Sequence, residues 1–487
     1  MKNDYSRILK FSTLLGSVQL ITFILALVKN KFVAIILGPR GYAYIAVVNS
    51  VIVLFTSIFT WGLNFEGVKN ISTASKSEKK YLLNENIQVL FWVIFSSAVV
   101  SVLTFIIISF SLPKVLGLGE LSLLDMLSVS LAIGLSVIGL FYTIVFNGTL
   151  NVREYAKSSV MTTLFSLLIT VPIYYFYGIG SIPTVFFITG VFSVVVNQTI
   201  YKKLNLNFYF FRVDRFFEKS WLLIKGGGIY LFSGFLSAVT NMAIIMFLVN
   251  LDGLKLAGLY QAGISLIAQF TSVVFAIIIT DFFPRLMHYD SILERNVFVN
   301  RQSHVMLFMS GSLIVVINFF LPEIISIGLS ESFTSVVEFV KWYFLGTFVQ
   351  IAFHPISLIP LARRDKKMIL FLAFYGNLSM LLSTTFGYYY FGLDGIGFFF
   401  LGHVIISSTV VYFSTLRRYS FSLDKTFLFF LCFFVIFILI SIFAEGYFKN
   451  GFSLFNKLIF SLVFLILTVF IGSKKFGINL FKYRAIS

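Results

Sequence analysis

Residues 427–444 read FLFFLCFFVIFILISIFA, an apolar run that contains no charged residue. As an α-helix, a run of this length would extend about 27 Å, close to the roughly 30 Å thickness of a bilayer's hydrocarbon core. The apolar residues are continuous and do not alternate with polar ones, as they would in the strands of a transmembrane β-barrel. The run therefore predicts a membrane-spanning helix.

Similar runs occupy most of the chain. Hydrophobic residues make up 58% of its 487 positions and charged residues only 12%, whereas about a quarter of an ordinary soluble domain is charged. With 62 phenylalanines, the chain also has too much apolar surface to remain disordered. We expect an all-α polytopic membrane protein with about fourteen transmembrane helices. The predicted spans are 11–36, 42–63, 87–112, 123–148, 157–178, 182–201, 221–249, 256–280, 305–328, 336–361, 368–391, 395–415, 427–444 and 454–472.

The charged residues predict the orientation. The chain has 37 Lys and Arg residues against 20 Asp and Glu residues, a net charge of +17. With both termini cytoplasmic, the outer segments hold as many acidic as basic residues, so the whole excess lies on the cytoplasmic side, as the positive-inside rule requires. Orientation accounts for most of the basic charge and leaves only a few basic residues for substrate binding, and nucleic acid is not an expected partner. The basic residues assigned outside are Lys29, Lys31, Arg40, Lys114, Lys255, Lys341, Lys449 and Lys457.

Two similar stretches predict an internal duplication. GYAYIA (Gly41–Ala46) follows the first span and AGLYQA (Ala257–Ala262) follows the seventh, and the two stretches align at an offset of 216 positions. Lys10 and Lys225, which are 215 positions apart, each precede a long apolar helix. Duplicated halves are common in transporters. We predict two six-helix lobes related by pseudo-two-fold symmetry plus two C-terminal helices. The boundaries are 1–203 for the N-terminal lobe, 204–220 for a cytoplasmic linker, 221–418 for the C-terminal lobe and 419–487 for the additional helices with a basic tail.

The sequence contains no pattern that indicates catalysis. Its histidines are separated and lack zinc-ligand spacing, and its single cysteine, Cys432, cannot form an internal disulfide. Neither a G-x-S-x-G elbow nor a Walker P-loop occurs. We expect no enzyme activity, no catalytic residues, no metal and no cofactor.

Ionisable residues in or near the spans are candidates for gating or coupling, because an ionisable group inside the hydrocarbon is costly. Each has an ordinary structural alternative. Glu66 would pair with Lys69, Asp281 with Arg285, and the histidine beside Pro355 would be a satisfied core residue at a helix break. The candidates are Glu66, Asp281, Arg285 and His354.

Amide side chains cluster in predicted spans 1, 2, 7 and 8. In a membrane such groups either form hydrogen bonds between helices or line a cavity for a hydroxyl-rich substrate. Both interpretations stay open from the residues alone. The amides are Gln19, Asn49, Asn241, Gln261 and Gln269.

The stretch from Lys31 to Ser72, KFVAIILGPRGYAYIAVVNSVIVLFTSIFTWGLNFEGVKNIS, resembles Wzx-type O-antigen translocases. These lipid-linked oligosaccharide flippases belong to the polysaccharide transporter family of the multidrug/oligosaccharidyl-lipid/polysaccharide exporter superfamily. The family pattern K-x-x-A-x-x-L-G-P-x-G, followed by G-[IL]-x-x-G-V-x-K, covers about a tenth of the chain. It is carried by Lys31, Ala34, Leu37, Gly38, Pro39, Gly41, Gly62, Leu63, Gly67, Val68 and Lys69. The final two helices depart from the commoner twelve-helix form.

The resemblance implies a flippase in the bacterial inner membrane that moves undecaprenyl-diphosphate-linked oligosaccharide to the outer leaflet by alternating access. It implies that the amides above face the glycan and that cationic groups bind the diphosphate. Membrane lipids, a polysaccharide polymerase and a chain-length regulator are the other expected partners. The expected diphosphate ligands are Lys29, Lys31, Arg40, Arg153 and Lys225.

Two other functions fit the sequence less well. A related exporter of the same fold would move a drug or a lipid-linked peptidoglycan precursor, and an acidic residue central to a lobe would favour the drug exporter. Glu66, Asp125 and Asp281 instead fall near predicted helix ends. A membrane-embedded polysaccharide polymerase would have a large arginine-rich outer loop, which the predicted spans leave no room for.

Overall fold

The computed structural model describes residues 2–76, 80–111, 122–204, 206, 215–277, 282–287, 289, 291–447 and 453–476, and the regular structure in these ranges is helical throughout. The first seven helices are α1 (Lys2–Phe59), α2 (Leu63–Lys76), α3 (Lys80–Ser111), α4 (Leu123–Gly148), α5 (Val152–Tyr177), α6 (Ile182–Lys202) and α7 (Phe216–Ile277). The remaining helices are α8 (Phe283–Leu286), α9 (Ile292–Phe319), α10 (Leu321–Gly328), α11 (Val337–Ser357), α12 (Ile359–Ala362), α13 (Lys366–Tyr419), α14 (Lys425–Tyr447) and α15 (Leu454–Phe476).

Within the described residues, ten helical segments are long and apolar enough to cross a membrane. Four of them, Leu20–Phe59, Arg153–Lys202, Phe216–Ser272 and Lys366–Tyr419, have 40 to 57 residues, about twice what one crossing needs. Each of these four contains an interruption that divides it into two crossings. The protein is therefore an all-helical, multi-pass membrane protein, and the number of crossings agrees with the predicted value of about fourteen.

Glycine makes each interruption. Gly38 in α1 has φ 61° and ψ −168°, Gly253 in α7 has φ 76° and ψ −175°, and Gly392 in α13 has φ 63° and ψ −146°. Gly178, between α5 and α6, has φ 62° and ψ −151°. A side chain disfavours this backbone region, so glycine is the residue that can turn the chain there.

These turns recur along the chain at a nearly constant offset. Gly38 and Gly253 are 215 positions apart, and Gly178 and Gly392 are 214 apart. Leu150, which precedes α5, and Arg364, which precedes α13, are also 214 apart, with φ values of 57° and 52°. The predicted repeat had offsets of 215 and 216, so the backbone shows the same duplication that the sequence indicated.

The chain divides into two compact units. Unit 1 comprises Met1–Ala262 and Lys366–Leu381, and unit 2 comprises Gly263–Asp365 and Leu382–Ser487. The predicted lobe boundaries at 203 and 221 stay a prediction. In unit 1, α4 packs against α3 and α6, while α1 packs against α5. In unit 2, α9 packs against α11, α14 and α15, so the two C-terminal helices are part of that unit's core.

Glycine contacts also bring α1 and α7 together within unit 1. A β-carbon on Gly258 would lie 1.7 Å from the carbonyl oxygen of Pro39, and one on Gly62 would lie 2.1 Å from that of Gly227. Because later residues of α1 meet earlier residues of α7, the two stretches run antiparallel. Consecutive glycines such as those at 226–228 permit either close helix approach or local unwinding. Here the helix stays intact and the approach is close.

One predicted span is displaced. The ninth was predicted at 305–328, but α9 begins at Ile292 and ends at Phe319, and a separate short helix covers Leu321–Gly328. Hydropathy placed the start late because the first turns of α9 carry polar residues. These polar residues form hydrogen bonds with the end of α13 and the segment that follows it, for example from Arg295 Nη2 to the Tyr419 carbonyl at 2.7 Å.

Candidate functional site

Among the five predicted diphosphate ligands, Lys29 is the one whose side chain is not exposed. Its side chain is half-buried on α1, and Nζ donates a hydrogen bond to Ser166 Oγ of α5 at 3.3 Å. One residue further along, the Asn30 carbonyl accepts a hydrogen bond from Tyr42 Oη at 3.0 Å across the Gly38 turn. Lys29 is thus held between α1 and α5 by the Ser166 hydroxyl, and its role as a diphosphate ligand stays a prediction.

The other four predicted cations are exposed. Lys31 and Arg40 lie on α1 on either side of the Gly38 turn, Arg153 lies in the first turn of α5, and Lys225 lies on α7. Their assignment to a diphosphate site stays a prediction.

The predicted glycan-facing amides lie on α1 and α7. Asn49 and Gln261 are half-buried and Asn241 is exposed, all in unit 1, while the side chain of Gln19 lies outside the described set. Gln269 belongs to unit 2, and its Oε1 is buried without a hydrogen-bond partner among the described residues. A role for these amides in binding sugar stays a prediction.

The polar contacts between helices that the structure does show involve different residues. Tyr142 Oη of α4 donates to Gln198 Oε1 of α6 at 2.9 Å, and Ser158 of α5 forms a short hydrogen bond with Asn197 of α6. In a membrane such contacts tie helices together because no water competes for them. Single-sequence reasoning missed these contacts because the partners are 39 to 56 residues apart.

The structure describes three of the four residues predicted to act in gating or coupling. Glu66 Oε1 accepts from Lys69 Nζ at 2.7 Å in α2, the ion pair expected as the structural alternative. Arg285 is half-buried in the short helix α8, and Asp281 lies outside the described residues. His354 is half-buried near the end of α11; Pro355 is within this helix, which continues to Ser357 before α12 begins. No gating role follows from these positions.

The glycines of the sequence motif form a turn and allow close contacts between helices. Gly38 forms the turn in α1, and Gly62 is in contact with α7. A β-carbon on Gly67 would lie 3.1 Å from Ile144 Cγ2, so this residue brings α2 close to α4. The resemblance motif therefore specifies the packing of unit 1 more directly than it specifies ligand contacts.

One cavity of unit 1 was not predicted from the sequence. It has a volume of about 1050 Å³ and lies beside the turn between α1 and α2, against α3 and the start of α7. Trp61 and Trp92 line it, and Trp61 Nε1 donates to Ser97 Oγ at 2.8 Å. The sequence alone favours interfacial anchoring for tryptophans at the ends of membrane spans. The shared position of Trp61 and Trp92 near the predicted inner ends of adjacent spans was the available signal.

The described residues contain no group of three or more His, Cys, Asp or Glu side chains that could hold a metal ion. The polar groups of unit 1 named above include ammonium and guanidinium groups, amides, hydroxyls and an indole N–H. This set can bind phosphate oxygens and sugar hydroxyls through hydrogen bonds and charge.

Comparison with protein-family models and with curated protein sequences gives no match for this chain. Solved structures do match. The lipid II flippase MurJ in an inward closed conformation has a TM-score of 0.67 and 16% identity, covering 97% of this chain and 100% of that chain. An inward-facing MATE family multidrug resistance transporter of the MOP superfamily has a TM-score of 0.59 and 13% identity, covering 83% and 98%. A Vibrio cholerae MATE transporter has a TM-score of 0.56 and 12% identity, covering 87% and 98%.

These likenesses establish the fold. At such low identity they carry no residue-level assignment. The chain thus has the helical membrane fold that MurJ and the MATE transporters share, over nearly its whole length in the case of MurJ.

Proposed function

We propose that this protein is a flippase that moves an undecaprenyl-diphosphate-linked oligosaccharide of the O-antigen type across the bacterial inner membrane, from the cytoplasmic to the outer leaflet. The observation that carries the proposal is the match to the lipid II flippase MurJ over 97% of the chain. The Lys31–Ser72 motif supports the narrower assignment to a Wzx-type translocase.

The chemistry of unit 1 is compatible with such a substrate. A diphosphate needs a cationic partner away from bulk water, and Lys29 is a half-buried ammonium that donates a hydrogen bond to the Ser166 hydroxyl. Half-buried amides at positions 49 and 261 could exchange hydrogen bonds with sugar hydroxyls. Translocation would proceed by alternating access, with the lipid tail in the bilayer and both chain termini in the cytoplasm.

A second candidate substrate is lipid II itself. The specific observation in its favour is that MurJ, whose TM-score of 0.67 is above those of the two MATE transporters, is a lipid II flippase. Lipid II and O-antigen precursors share the polyprenyl-diphosphate group and differ in the attached glycan, so the test must vary the glycan. With an O-antigen-type substrate, a polysaccharide polymerase and a chain-length regulator would act on the product.

Reconstitution of the purified full chain in liposomes tests the proposal. A fluorescent polyprenyl-diphosphate oligosaccharide in the inner leaflet should become accessible to an impermeant quencher only in liposomes that contain the protein. Fluorescent phosphatidylglycerol should remain protected, which controls for leakage and scrambling. Transport of fluorescent lipid II alone would select the second candidate, and no transport of either glycolipid would refute the flippase proposal.

A further inference from the structure

The cavity beside Trp61 has a composition unlike that of a lipid-tail groove. Its lining contains four aromatic residues, Trp61, Trp92, Phe216 and Phe217, but only three aliphatic ones. The other six lining residues are polar or charged. An acyl chain is best accommodated by aliphatic side chains, whereas aromatic faces combined with amides and hydroxyls suit the apolar face and the hydroxyl edge of a sugar ring.

The aromatic wall of the cavity is fixed in place. Trp61 adopts φ 52°, a conformation that a bulky residue rarely takes, and its indole N–H is held by Ser97. Trp92 packs edge-on against Phe91 and Phe95, with ring centroids 5.5 and 6.0 Å apart. Rigid aromatic surfaces bind a ligand with little loss of side-chain entropy, so this wall is pre-organised.

Polar side chains of α3 line the cavity beside the aromatic ones. Gln88, Ser96 and Ser97 follow one another along α3, and the Gln88 side chain is only 5% exposed. These groups supply an amide and two hydroxyls beside the aromatic rings. A buried amide next to an aromatic face can discriminate a sugar from a hydrocarbon, because it can donate to and accept from hydroxyl groups.

The rim carries a cation that a phosphate could recruit. Arg215 is 78% exposed, and its Nη1 lies 3.8 Å from Glu218 Oε2, whose side chain is 58% exposed. An exposed ion pair of this length contributes little, so the guanidinium can exchange partners at small cost. The neighbouring Lys219 pairs with Glu85 of α3, which attaches the start of α7 to α3.

We propose that this cavity binds the sugar–diphosphate headgroup of the lipid-linked substrate at the cytoplasmic surface before translocation, with Trp61 and Trp92 against the sugar and Arg215 on the diphosphate. The inference rests on the proposed function and deepens it. The volume of about 1050 Å³ is at the upper end of the range of small-molecule pockets, enough for a short oligosaccharide. On the predicted orientation, the α1–α2 turn and the start of α7 both face the cytoplasm, where such a lipid would be made.

The four tryptophans of the chain make the cavity directly observable. Replacing the two outside it, Trp221→Phe and Trp342→Phe, leaves the two cavity indoles as the emitters. The purified full chain in detergent would be titrated with farnesyl-diphosphate-linked chitobiose, farnesyl diphosphate and dioleoylphosphatidylglycerol, with total binding of the radiolabelled glycolipid measured in parallel. We expect a saturable fluorescence change with the glycolipid, at least tenfold weaker affinity for farnesyl diphosphate, and no response to the phospholipid.

Variants locate the binding. Gln88→Leu and Trp92→Leu should each weaken glycolipid binding at least fivefold, and Arg215→Ala should weaken both diphosphate lipids. These variants are made in the otherwise wild-type chain and measured by binding of radiolabelled glycolipid. Trp221→Leu is the matched control, because Trp221 is 64% exposed near the start of α7 but does not line the cavity. Its affinity should equal that of the wild type.

The outcomes separate this inference from the proposed function. Radiolabelled glycolipid that binds without changing the cavity fluorescence would overturn the cavity assignment and leave the flippase proposal standing. Equal responses to all three lipids would show a non-selective lipid site and would also overturn it. If the wild-type chain binds no glycolipid, the proposed function fails, and the cavity inference fails with it.

Discussion

The α-carbon of Gly227 on α7 packs against the carbonyl of Trp61, so closely that a β-carbon there would lie 2.1 Å from that oxygen. The same turn aims the Trp61 indole into the cavity of unit 1. The glycine run at 226–228 therefore links the packing of α1 against α7 to the shape of a candidate binding site.

Gly227→Ala should destabilise the protein by about 1–3 kcal/mol, because the added methyl group forces the backbones apart. Gly228→Ala is the matched control, since a β-carbon there meets nothing within 4 Å, and alanine favours the helix by up to about 1 kcal/mol. Thermal unfolding in detergent would compare the two. Equal melting temperatures would show that the close contact carries no energy.

Gly38→Ala and Gly253→Ala should each cost about 1–3 kcal/mol, because their φ values of 61° and 76° are unfavourable for a residue with a side chain. Both sites have open space, so the cost would be conformational and not steric. Gly234→Ala, which has open space and ordinary helical φ, is the control. A neutral result at both turns would contradict the assigned backbone conformation.

His304 Nε2 of α9 lies 2.8 Å from Asp424 Oδ1, and the same carboxylate oxygen accepts from the Phe427 backbone N–H at 2.7 Å, capping α14. Asp424→Ala should lose about 1–2 kcal/mol of stability, since both contacts disappear. Asp424→Asn should lose less, because asparagine is also a good N-cap. Ser422→Ala should be neutral because Ser422 contributes its backbone carbonyl to Asn300. Unfolding monitored by circular dichroism checks this order.

Lys457 of α15 is 4% exposed and lies 2.7 Å from Glu323 of α10. Glu323→Ala should cost about 3 kcal/mol, because a buried ammonium loses its carboxylate. The double variant Glu323→Leu with Lys457→Met should recover most of the loss, since an apolar pair removes both charges together. Thermal melts of single and double variants test the coupling, and additive losses would rule it out.

Lys29→Ala and Arg153→Ala should reduce surface polysaccharide several-fold in cells while the protein still reaches the membrane, if both groups bind the diphosphate. Lys255→Ala is a control, because Lys255 is exposed and belongs to no predicted site. Lectin staining and membrane immunoblots give the two readouts. Normal polysaccharide in both variants would remove these residues from the diphosphate site.

Hydropathy and charge were sufficient to predict the helical membrane fold, because the apolar length needed to cross a bilayer is a local property of the sequence. The Glu66–Lys69 ion pair was equally accessible, since residues three apart on a helix are neighbours. The start of α9 was misplaced because hydropathy cannot detect that Arg295 finds a partner 124 residues away.

The candidate site was only partly predictable. Basic residue type made both Lys29 and Lys31 candidates, but it could not show that Lys29 is half-buried whereas Lys31, two positions away, is exposed. The cavity depends on Trp61, Gln88 and Arg215, which come from three separate stretches of chain.

The sequence by itself determined which segments can cross a membrane, the predicted orientation, and the approximate period of the internal repeat. The tertiary structure decided which polar groups are buried together and which face outward, because that depends on how each helix is rotated and how closely its glycines let it approach a neighbour. Composition fixes the energy of placing a segment in lipid, whereas contacts between distant residues fix the site.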